Sequence, residues 1–88
     1  MEQKQIANIF KSLGGEERLK LVLFLSSGEK CVCKIFEHLK IPQNLASYHL
    51  SALRKASLVT SRKEGTWVYY SLNKKSFKEL QTFLKKII

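Results

Sequence analysis

"VCKIFEHLKIPQNLASYHLSALRK", Val32 to Lys55, reads as a short helix, a break at "KIP" and a longer helix. The short piece runs from Val32 to Leu39. Pro42 holds Ile41 away from helical angles, and the helical pattern resumes at Gln43 and runs to about Ser57. Short helix, tight turn and longer helix together are the helix-turn-helix signature. The longer helix has unlike faces. Ala46, Leu50 and Leu53 line one side, flanked by Leu45 and His49, while Asn44, Ser47, Tyr48, Ser51 and Lys55 recur at helical spacing on the other. An ordinary solvent face would carry Glu–Lys pairs. Amide, hydroxyl and cationic groups instead suit base edges in the major groove of duplex DNA.

After "ASLV" the period falls to two. "LVTSR" and "TWVYYSL" are β-branched and aromatic runs separated by "KEG", which predicts a two-stranded hairpin with Gly65 in the turn. A helix-turn-helix followed by a hairpin is a winged helix. Arg62 and Lys63 are expected at the tip, where they would grip phosphates or the minor groove. Trp67, Tyr69 and Tyr70 are expected to pack the hairpin against the helices rather than to stack on single-stranded bases.

Upstream, Ile6, Ile9, Phe10 and Leu13 mark an amphipathic first helix that "LGG" ends. A second helix, Glu16 to about Ser26, carries two acids in its first turn. Its "LKLVLFL" run is apolar nearly all round and predicts the most buried helix. The last helix, from about Lys75, puts Phe77, Leu80, Leu84 and Ile87 on one stripe and lysines on the other side. A small core already filled by the middle helices has little room for both terminal stripes. Ile6, Phe10, Leu13, Phe77, Leu80, Leu84 and Ile87 are therefore expected to form the interface of a symmetric homodimer, with two reading helices about one DNA turn apart.

Eighty-eight residues make one domain, residues 1–88, mainly α with a small hairpin. Sixteen Lys and Arg against seven Asp and Glu give a net charge of +9, which suits a polyanionic partner. No apolar run is long enough to span a membrane, the N-terminus lacks the zones of a signal peptide, and free cysteines fit a reducing compartment, so a cytoplasmic location is expected. No nucleophile with a base, paired carboxylates or phosphate-cradling glycine loop points to an enzyme.

Both cysteines lie in "KCVCKIF", Lys30 to Phe36. A continuous helix would set Cys31 and Cys33 about 200° apart, so the helix start is expected to unwind or tighten before both can hold one ion. Thiolates favour As(III), Sb(III), Cd(II), Pb(II) and Zn(II) over hard ions. Two sulfurs suit a metalloid whose third ligand comes from solvent or a small thiol, whereas zinc wants four ligands and would need Glu37 or His38. Lys30 and Lys34 are expected to lower the thiol pKa. The alternative is that both are small apolar side chains at a helix start.

"CVC" entering a short helix, followed by "PQNLASYHLSALRKASLVTSRKEGTWVYYSL", resembles the ArsR/SmtB family of metal-sensing transcriptional repressors. "ASYHLSALRKASLV" is similar to the family's recognition helix, "SRKEGTWVYYSL" to its wing and "CVC" to the ligand motif of its arsenic and cadmium sensors. The resemblance implies a homodimeric winged-helix repressor whose operator binding a metal ion or metalloid weakens. It assigns DNA contacts to Gln43, Asn44, Ser47, Tyr48 and His49 and to Arg62, Lys63 and Gly65 of the wing, beside Lys55 from the periodicity. Cys31 and Cys33 become the inducer ligands, with As(III) or Sb(III) first and Cd(II), Pb(II) or Zn(II) behind. The family's "CVCxxC" has Phe36 at its third position here, and no cysteine lies near the N-terminus. Two other functions fit the same residues: a winged-helix regulator with no metal response, effector-free or answering to thiol oxidation, and a winged-helix protein-interaction module.

Overall fold

The computed structural model describes residues 2–88. The break at "KIP" is a left-handed residue followed by a proline. Lys40 takes φ 55°, and its N–H donates to the Phe36 carbonyl at 3.2 Å, closing the short helix. Pro42 starts the next one, its carbonyl accepting from the N–H groups of Leu45 and Ala46, both at 3.0 Å. Around this turn the helices are α1 Gln3–Leu13, α2 Glu16–Leu25, α3 Val32–Leu39, α4 Gln43–Lys55 and α5 Lys74–Ile87. The strands are β1 Lys30–Cys31, β2 Val59–Glu64 and β3 Trp67–Leu72. α4 and α5 match the expected spans to within two residues.

The hairpin is part of a three-stranded antiparallel sheet in the order β1-β3-β2. β2 and β3 pair from Val59↔Leu72 to Glu64↔Trp67, and Gly65 turns between them at φ 62°, a conformation glycine enters without steric cost. β1 adds Lys30↔Tyr70 and Cys31↔Tyr69, so the segment that carries the first cysteine is hydrogen-bonded to the wing. The sequence expectation of two strands is corrected to three.

Leu21, Leu25, Ile35, Leu39, Ala46, Leu50, Leu53, Leu58 and Val59 form the core, joined by Ile9 and Leu80 from the terminal helices. α2 is central, touching α1, α3, α4 and β3, yet it is not buried all round. Leu19 is 48% and Leu23 70% exposed, because those partners cover only the Leu21–Leu25 side. α4 ends in a reciprocal cap: Leu58 N–H donates to the Leu53 carbonyl at 3.0 Å and Ser57 N–H to the Arg54 carbonyl at 2.9 Å. The Ser57 carbonyl then accepts from Asn73 Nδ2 at 2.9 Å and Ser76 Oγ at 2.6 Å. The end of α4 is stapled to the start of α5.

Candidate nucleic-acid interface and thiol pair

Helix α4 sorts its residues as the periodicity requires. Ala46, Leu50 and Leu53 are 0–1% exposed, which fixes Gln43, Asn44, Ser47, Tyr48, Ser51 and Lys55 on the outside. Among the described residues the side chains of Gln43, Asn44, Ser47 and Ser51 have no hydrogen-bond partner within the chain. Lys55 is exposed at the far end of the helix, near Gln5 and Asn8 of α1. His49 departs from the expectation. It is half-buried, and its Nδ1 accepts from Arg18 Nε at 3.0 Å, so it faces α2 rather than a groove. Arg18 also lies 5.6 Å from the centroid of the Tyr48 ring and donates to the Ser12 carbonyl at 3.4 Å. Sequence reasoning missed Arg18 because a lone arginine on a helix reads as a solvated charge.

The wing differs more. The turn is Gly65–Thr66, and Arg62 stands inside the ladder opposite Tyr69. Its Nε and Nη2 donate to the two Glu29 oxygens, each at 2.8 Å, its Nη1 to Glu64 Oε2 at 2.6 Å, and its plane lies 4.6 Å from the Tyr69 centroid. The expected phosphate contact at Arg62 is thus engaged with carboxylates. Lys63 is exposed and, among the described residues, forms no ion pair. Trp67 is 55% exposed rather than packed inward, because it sits at the last rung; Tyr70 packs against the core as expected.

The thiols are closer than a continuous helix allows. Cys31 is the N-cap of α3 with extended angles, φ −65° and ψ 143°, and only Cys33 is inside the helix. The two Sγ atoms stand 2.7 Å apart. No unwinding is required to bring them together, which corrects the geometric expectation. Cys31 is half-buried and Cys33 exposed. The Cys33 thiol beside it lowers the Cys31 pKa, with the backbone amides of Cys33 and Lys34 and the Lys34 ammonium acting in the same sense; Cys33 is pushed up by its neighbour and by burial. Lys30 takes no part: its ammonium turns to Ser27 Oγ at 2.9 Å and the Gly28 carbonyl at 3.3 Å.

Among the described residues no third ligand converges. Glu37 pairs with Lys34 at 3.5 Å, and His38 stacks on Phe24 with centroids 4.0 Å apart. Among the described residues no group of three or more His, Cys, Asp or Glu is placed to hold a metal ion. Two adjacent soft donors with an open side fit a metalloid that completes its shell from solvent or a small thiol; they do not fit a four-ligand zinc centre.

The proposed interface residues divide. Ile6 and Leu80 are already buried, at 5% and 8% exposure, within the chain's own packing. Leu13 and Phe77 are half-buried against the core. Phe10, Leu84 and Ile87 are 46%, 44% and 66% exposed, and Phe10 touches Phe83 of α5 edge to face at 6.4 Å. No helix among the described residues is long and apolar enough to cross a membrane.

Residues 15–61 match the family model described as bacterial regulatory protein, arsR family. An HTH-type transcriptional regulator of Methanocaldococcus jannaschii is 44% identical over 78 residues, 88% of each chain. An arsenical resistance operon repressor of Staphylococcus aureus is 38% identical over 73 residues, 83% of this chain and 70% of that one. Among solved structures, the homodimeric winged helix-turn-helix DNA-binding domain from Mycobacterium bovis superposes with a TM-score of 0.80 at 30% identity, covering 96% of this chain and 78% of that one. With its helix-turn-helix and its wing, the chain belongs to the arsR family of winged helix-turn-helix transcriptional regulators.

Proposed function

We propose that this chain is a homodimeric repressor that grips an operator through α4 and the wing and lets go when As(III) or Sb(III) is held by Cys31 and Cys33. The observation that carries the DNA half is the outer face of α4. Among the described residues its amide and hydroxyl groups have no partner within the chain, and they are exposed and backed by a buried apolar face. Gln43, Asn44, Ser47 and Tyr48 are the base-reading set, and Lys63 and the turn at Gly65 touch the backbone. A net charge of +9 steers the protein to DNA and makes binding salt-dependent. The exposed Phe10, Leu84 and Ile87 stripe supports a twofold pair, and the Mycobacterium bovis relative is homodimeric.

The inducer half rests on the adjoining sulfurs and on the arsenical resistance relative. Cys31 and Cys33 supply two sulfur donors, and the inducer takes its remaining ligand from solvent or a small thiol. Any ligand that favours the DNA-free state is itself held less tightly by the DNA-bound protein, by the same factor. The same 2.7 Å separation supports the alternative of thiol oxidation, in which a peroxide accepts two electrons and two protons as a disulfide forms.

A mobility shift on the chain's own upstream region separates these readings. At low salt the reduced protein is expected to retard duplex DNA, arsenite or antimonite to release it with a sulfur-to-metalloid absorption, and Cys31→Ser to abolish the release. No retardation at low salt would favour the protein-interaction module. A flat spectrum with release only by peroxide would favour oxidation.

A further inference from the structure

We propose that Glu29 and Arg62 are positioning residues that tie the cysteine-bearing strand to the wing, so that a change at the thiol pair reaches DNA through the sheet. This rests on the inducer reading above and assigns its route.

Tyr69 is the cross-strand partner of both Cys31 and Arg62. Those three residues form one rung across β1, β3 and β2. Two residues before Cys31, Glu29 reaches over β3 and takes the Arg62 guanidinium with both oxygens at 2.8 Å; Ser71 Oγ of β3 donates to the same carboxylate at 3.4 Å. A bidentate arginine–carboxylate pair fixes direction as well as distance. The pair is solvent-exposed, with side-chain exposures of 51% and 35%, so it contributes little to overall stability. What it does control is the relative position of the 28–31 segment and the wing. Alternation along β2 sends Lys63 to the opposite face, leaving that lysine, and not Arg62, free for phosphate.

The test uses full-length protein as wild type, Glu29→Gln, Arg62→Gln and the double variant. DNA affinity is measured with and without arsenite, thiol ligation is followed by absorbance, and amide exchange is measured without any metal. Wild type is expected to lose about 5–150-fold in DNA affinity with arsenite, the ordinary range of such couplings. Each single variant should still ligate arsenite and bind DNA, with that factor falling by about fivefold or more, and the double variant should lose no more than either single. In metal-free Glu29→Gln, amides of β1 and β2 should exchange faster together. An undiminished coupling factor in the single variants overturns the proposal, as does an Arg62→Gln variant whose salt slope drops like that of a phosphate contact. If arsenite has no effect on wild type, the inducer reading fails. The exchange arm still decides: unchanged β1 and β2 exchange in metal-free Glu29→Gln would sink the tie itself.

Discussion

Ser57 holds a left-handed conformation, φ 62°, that a side chain resists by about 1–2 kcal/mol. It does so because the cap of α4 and the Asn73 and Ser76 bonds to its carbonyl leave no other path. Glycine removes the clash but enters with a more flexible unfolded chain, so Ser57→Gly is expected to stabilise by about 0.5–1 kcal/mol. Thermal melts at fixed protein concentration should rise by a few degrees; a fall would mean the hydroxyl matters more than the backbone. Glu29 gives a pH signature. Its hydrogen bond with Arg62 holds its carboxyl below the ordinary value of 4.5, so the folded state favours the carboxylate. The resulting stabilisation is complete above about pH 4.5 and is lost as the pH falls through the lowered value. Urea denaturation of metal-free wild type and Glu29→Gln should therefore show a small gap at pH 7, as befits an exposed pair, that narrows as the pH falls below 4.5; a gap that does not narrow would contradict this. Neither Arg18 nor Glu29 could be found from sequence, because their partners lie 31 and 33 residues away and no local pattern links them.

Among elements, the proposed complex divides the work of recognition between α4 and the wing. Asn44→Ala is expected to cost about 1–3 kcal/mol of discrimination at one base pair with the salt slope unchanged. Lys63→Ala should weaken all sequences alike and lower that slope by about one. Titrations of operator and scrambled duplex over a salt series check both, and a sequence-independent loss at Asn44 would remove it from the base-reading set. The two faces of α4 were legible because buried Ala46, Leu50 and Leu53 and exposed Asn44, Ser47, Tyr48 and Ser51 follow one helical period. β1 was not: two residues show no period, and only its pairing with Tyr69 and Tyr70 makes it a strand. The same strand explains the cysteines, since extended backbone at Cys31 replaces the helical turn assumed for the pair. α2 was misjudged for another reason. An apolar composition does not say on which sides neighbours will lie, and Leu19 and Leu23 remain 48% and 70% exposed.

As a whole the chain is extended for its size, with a radius of gyration of 13.3 Å against about 12 Å for a compact domain of this length. Beyond Leu80 the last turns of α5 run past the core, which leaves Leu84 and Ile87 44% and 66% exposed. Leu84→Glu is expected to turn a dimer into a monomer in sedimentation and to weaken operator binding by tenfold or more, since each half then binds alone; an unchanged mass would move the interface elsewhere. The staple between Ser57 and α5 joins that helix to α4 at one point. α4 is about 20 Å long, so in a twofold pair a tilt of about 10° at the staple swings Asn44 by about 3 Å, beyond the reach of a hydrogen bond. In the proposed dimer the joint would make the two subunits the arms of a caliper, with a small change of angle where the arms meet setting whether the tips span one turn of DNA or miss it.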